Sequence, residues 1–171
     1  MAEAFRGEFY QKVDGKARVS IPAAFRRILE ADDLDRPDAA RPRVYMVYGG
    51  KKRNFVECYA KAGADRLAAQ VDAMEIGSDA RRKAERDLIT RSVMIEIEPD
   101  GRLVLPQQVR EKMGFLADDL ASGGEAVFAG ATNRFMLYRK EVYVAELEED
   151  DDDEDVDPLA LVGRAMAARG G

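Results

Sequence analysis

The sequence predicts an α+β fold: two tandem repeats, each running β, β, α, β, β, joined by linking helices and followed by a disordered acidic tail. Three observations predict it. The motif VSIP at 19–22 returns as LVLP at 103–106, a displacement of 84 residues. Each copy follows a strand-like alternation broken by a tight turn, and each ends in a proline that leads into helix-forming residues. At 171 residues the chain is long enough to bury its own core without a staple, as one domain or two small ones.

In the first copy Phe9, Gln11 and Val13 share one strand face, and in the second Val93, Ile95 and Ile97 take the matching places. The turns follow. Asp14 and Gly15 supply turn chemistry in VDGKAR; in EPDGR, Pro99 presets φ, Asp100 can bond its local backbone and Gly101 can adopt positive φ. If Val19 and Ile21 face the core, period two puts Arg18 and Ser20 on the other face, and Leu103 and Leu105 likewise leave Arg102 facing away.

Pro22 and Pro106 suit the first position of a helix, where a missing N–H is tolerated. AAFRRILEA then carries Phe25, Ile28 and Leu29 as one apolar stripe, and Gly114 can end QQVREKMG. RVYMVYGG and NFVECY read as two further strands, echoed by EAVFAG and RFMLYR. Tyr59 and Tyr138 correspond at a displacement of 79, so the second copy contains a shorter connection. The aromatics at these places read as core.

Between the copies, AGADRLAAQVDAM and DARRKAERDLITRSV have helical composition, with Ser78 or Asp79 as the cap of the second. Arg81, Arg82, Lys83, Arg86 and Arg91 give that second helix a basic face, which Glu85 and Asp87 interrupt; it reads first as a solvated surface and in reserve as an anion-contacting one. The run EEDDDDEDVD repels itself and buries almost nothing, so disorder is expected, with PLALVGRAMAAR beyond it a short helix or part of a flexible tail.

Charge is unevenly placed. Residues 146–171 hold ten acids against Arg164 and Arg169, so the net −6 of the chain resolves into −8 for the tail and +2 for residues 1–145. The body is mildly cationic. Cys58 is alone and cannot form an internal disulfide; its apolar neighbours mark it as a small core side chain, and a reducing cytoplasm fits. No hydrophobic run approaches the ~20 residues needed to cross a bilayer and MAEAFRGEFY does not resemble a signal peptide, so a soluble, unexported protein is expected. Histidine is absent. With it go the commonest general base near neutral pH and the commonest transition-metal ligand, and no catalytic residue, metal, cofactor, membrane or small-molecule substrate is expected.

The duplicated turn is the chemical signal. Arginine offers a planar fork of donors to phosphate oxygens or to guanine O6 and N7, and an acid four residues earlier could hold that fork: Asp14 before Arg18, Glu98 before Arg102. Taken singly, each is a surface ion pair worth about 0–1 kcal/mol. Duplication and the shared outward register, taken together with the family resemblance these segments carry, favour nucleic-acid contact.

FRGEFYQKVDGKARVSIPAAFRR and IEIEPDGRLVLPQQVRE resemble the two copies of the MraZ transcriptional regulators, within the wider AbrB-like swapped-hairpin class, over approximately residues 5–145. The resemblance implies a first SpoVT-AbrB-like repeat at 5–60, linking helices at 61–92, a second repeat at 93–145 and the tail at 146–171 outside the family pattern. It further implies that the repeats fold together as an intramolecular pseudo-dimer and that subunits assemble into a ring-shaped homo-oligomer. That assembly would bind double-stranded promoter DNA of the division and cell-wall gene cluster, commonly as a repressor, in the cytoplasm at the nucleoid. The family's Asp-x-x-x-Arg pattern maps onto Asp14 and Arg18, then onto Glu98 and Arg102. DNA contact is therefore expected from Arg18, Arg102, Lys16 and Arg6, with Asp14, Gly15, Glu98, Asp100 and Gly101 orienting the turns. Ala17 stands where the family usually has glycine, and Glu98 where it usually has aspartate. The rival reading is an antitoxin-like or other protein-interaction module using the acidic tail; a carboxylate hydrolase lacks any nucleophile–base pair to support it.

Overall fold

The computed structural model of the chain describes residues 3–151 and 156–170. Its first half runs β1 (Glu8–Val13), β2 (Arg18–Ser20), α1 (Ala23–Ala31), β3 (Arg43–Val47) and β4 (Val56–Tyr59). Then come α2 (Lys61–Asp72), α3 (Asp79–Ala84) and a π-helical turn at Glu85–Thr90. The second half runs β5 (Ser92–Glu96), β6 (Arg102–Val104), α4 (Gln107–Met113), α5 (Ala117–Ser122), β7 (Gly124–Gly130) and β8 (Phe135–Arg139), followed by α6 (Lys140–Asp151) and α7 (Pro158–Gly170). The β-β-α-β-β order thus occurs in each half, with α5 added in the second. The shorter connection falls between β7 and β8.

All eight strands belong to one antiparallel sheet, ordered β5-β3-β4-β8-β7-β1-β2-β6. The two end strands, β5 and β6, are consecutive in the chain and joined only by residues 97–101. The sheet must therefore curl until its ends meet, giving a near-barrel. Four of its seven pairings, β1 with β7, β2 with β6, β3 with β5 and β4 with β8, join one half to the other. Neither half can complete its sheet hydrogen bonding alone.

Phe25 shows how the core is organised. The i, i+3, i+4 stripe of α1 buries Phe25, Ile28 and Leu29, and Phe25 sits among three rings: edge-on to Phe5 at 5.4 Å and Phe9 at 5.2 Å, stacked on Phe135 at 5.0 Å. Each such pair contributes about 0.5–1.5 kcal/mol beyond simple burial. Because Phe9 lies on β1 and Phe135 on β8, the cluster ties helix to sheet across both halves. Cys58 is fully buried beside it, and desolvation pushes its thiol well above the ordinary range, as expected of a core side chain.

Two buried carboxylates also join elements. Asp33 accepts from the Arg43 backbone N–H at 3.1 Å and from its guanidinium at 2.5 and 3.1 Å, fixing the end of α1 to β3. Burial alone would raise the Asp33 pKa, but those Arg43 bonds win and hold it low. Glu57 on β4 is closed in by Arg53, Arg134 and the Tyr59 hydroxyl, which donates at 3.1 Å. Arg134 comes from the second half, so Glu57 is another stitch between the halves.

Three sequence expectations are corrected. Pro22 and Pro106 are the N-cap residues, one position before the first helical residue, because their extended ψ of 134° and 157° feeds the strand into the helix. The helix expected to run through 79–93 loosens into the π-helical turn. Gly49 lies against this turn: a Cβ there would stand 2.1 Å from the Asp87 carbonyl oxygen, so the two backbones are in close contact. Finally, of the run 148–157 expected to be disordered, residues 148–151 are helical as the end of α6, residues 152–155 lie outside the described residues and Val156 and Asp157 are in no helix, while α7 at Pro158–Gly170 is the short helix allowed for PLALVGRAMAAR. α6 is anchored at Tyr143, which donates to Glu8 and packs on Tyr138 at 5.0 Å and Tyr10 at 6.4 Å. Once nucleated there, glutamates carry the helix outward at little cost.

Replacing Gly49 by alanine is expected to lower stability by about 1–3 kcal/mol in urea unfolding, because backbone rather than a side-chain tip must move. Hydrogen exchange should quicken over residues 83–91 in that variant.

Candidate nucleic-acid interface

The pairing of β2 with β6 sets the site. Its register places Arg18 opposite Val104, Val19 opposite Leu103 and Ser20 opposite Arg102. Adding the repeat displacement to one strand returns the other, so the two strands lie about a local two-fold axis through the Val19–Leu103 pair. Backbone bonds outside the strands obey the same symmetry: Ile21 N–H donates to Gly101 C=O at 3.0 Å and Leu105 N–H to Ala17 C=O at 2.9 Å. Val19 and Leu103 are buried at 1% and 0% exposure. Period two therefore turns Arg18, Ser20, Arg102 and Val104 outward together.

The turns are backbone equivalents as well. In the first, Asp14 N–H donates to Arg18 C=O at 3.0 Å and Ala17 N–H to Asp14 C=O at 3.0 Å; in the second, Glu98 N–H donates to Arg102 C=O at 2.9 Å and Gly101 N–H to Glu98 C=O at 2.8 Å. Each closes with one residue in the left-handed region, Ala17 at φ 60° and Gly101 at φ 82°. This is the three-residue hairpin loop in which a turn precedes a left-handed residue. In the first turn the left-handed position is Ala17, not Gly15, and alanine adopts the conformation that glycine takes more readily. Beside Gly101 the space a Cβ would need is filled by the guanidinium of Arg26 from α1.

The side chains depart from the backbone symmetry. Asp14 accepts the Lys16 and Arg18 N–H groups at 2.9 Å each through one oxygen, and Arg18 Nε at 2.7 Å through the other. In the second turn that work falls to Asp100, which accepts the Arg102 N–H at 3.1 Å and Arg102 Nε at 2.7 Å. Glu98, expected to orient Arg102, instead pairs with Arg41 at 3.0 Å. The longer glutamate sits at the turn's base, whereas Asp100 at its tip reaches the same guanidinium with a shorter arm. Sequence reasoning placed Asp100 in the turn but missed its role as the arginine's partner; its spacing of two residues from Arg102 was the available signal.

Arg18 is thus held through Nε, whereas Arg102 meets Asp100 through both Nε and Nη2 at 2.7 Å each, leaving its Nη1 off that carboxylate. Arg102 also lies 3.8 Å from Asp14, which links the two turns electrostatically. Arg18, Asp14 and Arg102 are each 36% exposed at the side chain. Backbone and side-chain bonds from Arg18, the backbone one foremost, hold Asp14 below the usual carboxylate range; the Arg102 side chain, then its backbone, does the same for Asp100. Both acids therefore stay charged far below neutral pH.

Lys16 is exposed at the tip of the first turn. Arg6 is not part of the cluster: it precedes β1, whose far end carries Asp14, about 25 Å of extended chain away. Among the described residues, no helix is long and apolar enough to cross a membrane and no group of three or more His, Cys, Asp or Glu side chains is placed to hold a metal ion.

No protein-family model matches the chain. Curated relatives do. It is 48% identical over 147 residues to the transcriptional regulator MraZ of Cereibacter sphaeroides, covering 86% of each chain. It is 39% identical over 171 residues to the transcriptional regulator MraZ of Ruegeria pomeroyi, covering 96% of this chain and 98% of that one. A more distant relative of the same name, from Parvibaculum lavamentivorans, is 32% identical over 142 residues, 83% of this chain and 80% of its own. Identity of this extent across nearly the full length places the chain in the MraZ family of transcriptional regulators.

Proposed function

We propose that the protein is a sequence-specific, double-stranded-DNA-binding transcriptional regulator whose β2–β6 face reads promoter DNA. The observation that carries the reading is the back-to-back placement of Arg18 and Arg102 on one outward face, each pre-oriented by a carboxylate, Arg18 through Nε and Arg102 through Nε and Nη2. A planar fork held in this way loses little side-chain entropy on docking and suits bidentate contact with guanine or phosphate. Lys16 adds a less directional charge toward a phosphate. Asp14 and Asp100 orient the arginines, while Gly15, Glu98 and Gly101 shape the turns. Arg6 lies too far along β1 to share the same contact and would reach only a separate phosphate.

One face carrying two arginines and their acids is a weak attractor. Assembly into a ring-shaped homo-oligomer over repeated promoter boxes would supply the missing affinity, because each contact after the first is made at high effective concentration. Repression of the division and cell-wall gene cluster, in the cytoplasm at the nucleoid, is the regulatory setting the family implies.

The deciding measurement is a gel shift on the DNA upstream of the protein's own gene. Arg18→Ala and Arg102→Ala should each cost about 1–3 kcal/mol of binding and relax base preference, with urea midpoints and oligomeric state unchanged. Lys16→Ala should weaken all duplexes alike and flatten the salt dependence by about one charge. Full binding by the Arg18/Arg102 double variant would remove this face from consideration.

The pH profile is a second check. Asp14 and Asp100 have depressed pKa values in the folded protein, so their contribution is present above the unfolded carboxylate range and lost only as pH falls through the lower folded values. With no histidine in the chain, binding should stay level between about pH 5.5 and 8. A step near pH 6.5 would show that another titrating group controls the interface.

A further inference from the structure

A second concentration of positive charge lies away from the β2–β6 face. Between the loop joining β3 to β4 and the π-helical turn is a hollow of about 840 Å³ lined by Lys51, Lys52, Arg53, Lys83, Arg86 and Arg91, with Asp87 its one acid among the described residues. The β2–β6 face, by contrast, offsets its two arginines with Asp14 and Asp100. The hollow gathers Lys83 from α3, Arg86 from the π-helical turn, Arg91 just after it and the cations of the KKR run at 51–53. Arg81 and Arg82 are turned aside to other partners: Arg81 caps the end of α2 through the Asp72 and Met74 carbonyls at 2.9 Å each, and Arg82 pairs with Asp79.

The crowding is built into the backbone. Gly49 lets the π-helical turn approach β3, and Gly50, at φ 90°, lets the Arg53 side chain fold against it, where a Cβ would stand 2.7 Å from Cδ. Lys112 from α4 donates to the Gly50 carbonyl at 2.5 Å and so brings a further cation under the loop. Desolvation, then repulsion from Arg53 and Arg91, lowers the Lys112 pKa. Asp87 is already shared by Lys83 at 3.1 Å and Arg86 at 3.4 Å, and Arg53 is bound to Glu57 and lies over the Phe55 ring at 5.2 Å. Lys51, Lys52 and Arg91 have no carboxylate partner among the described residues.

From this geometry we infer that the hollow is a second anion site, separate from the β2–β6 face, for a compact ligand bearing two or more phosphate groups. Its volume falls in the range of small-molecule sites rather than of an extended groove. The lining offers no aromatic or apolar side chain on which a base could stack, so recognition is of the phosphates. It sits at the Ser92 end of β5, while the Asp100–Arg102 turn follows the other end, roughly 20 Å of extended strand and turn away. DNA held on that turn would leave the hollow open.

Calorimetric titration of the full chain with inorganic tripolyphosphate at low salt, about 50 mM, tests this. Saturable binding is expected, weakened at least about tenfold in the triple variant Lys51→Gln, Lys52→Gln, Arg91→Gln and unchanged in Arg18→Ala/Arg102→Ala. The three substituted side chains are exposed and unpaired, so the triple variant's urea midpoint should match the parent's. Failure of the parent to bind, equal binding by the triple variant, or loss of binding in the Arg18/Arg102 variant overturns the site. If tripolyphosphate fails to bind while the triple variant loses duplex affinity, the hollow is a DNA-backbone contact and the small-ligand proposal falls, whereas the promoter-reading assignment is decided independently by Arg18 and Arg102.

Discussion

Val19 and Leu103 meet at the centre of a three-residue antiparallel pairing, and their burial decides where everything around them points. Because β2 and β6 are so short, a slip of one residue would drive Arg18 and Arg102 into the core and expose the two apolar side chains. The register is defended from both ends by the Ile21–Gly101 and Leu105–Ala17 backbone bonds, and then by Pro22 and Pro106, which end the strands. The same pairing attaches β6, the last strand, to the rest of the sheet. Without it β2 would lose its neighbour on one side, and the turn carrying Arg102 would have nothing to face.

Charge is organised against this frame at two scales. Within the turns, aspartates hold arginines in fixed directions, and the pairs are nearly neutral. Across the molecule, cations gather around the π-helical turn, while acids gather along the outer part of α6. A net charge of −6 therefore describes neither surface, and any long-range steering of an anionic partner depends on which side of the molecule it meets.

Much of this was legible in the residues themselves. The displacement of 84 predicts the two turns, their strands and the outward arginines, because period-two alternation and the proline boundary are both local signals. What was not legible depends on distant partners. Glu98 looked like the partner of Arg102 by analogy with Asp14, but Arg41, 57 residues earlier, takes its carboxylate. The tail looked disordered on composition, yet Tyr143 docking on Glu8 starts a helix that the acids then follow. The basic hollow needed the loop at 50–53 and the turn at 83–91 brought together by Gly49, a contact no single stretch announces, although KKR at 51–53 was in plain view.

The unequal turns have a consequence for evolution. In a true dimer of identical chains, every change at one hairpin is copied at the other, so its recognition surface is bound to symmetry. Here both hairpins lie on one polypeptide, and they have already drifted: alanine against glycine at the left-handed position, an acid four residues before one arginine and two before the other. Each half can acquire its own preference while the partner half is left intact. Under the proposed reading of this face, its DNA site has no need to be palindromic, and the two half-sites can change one base at a time.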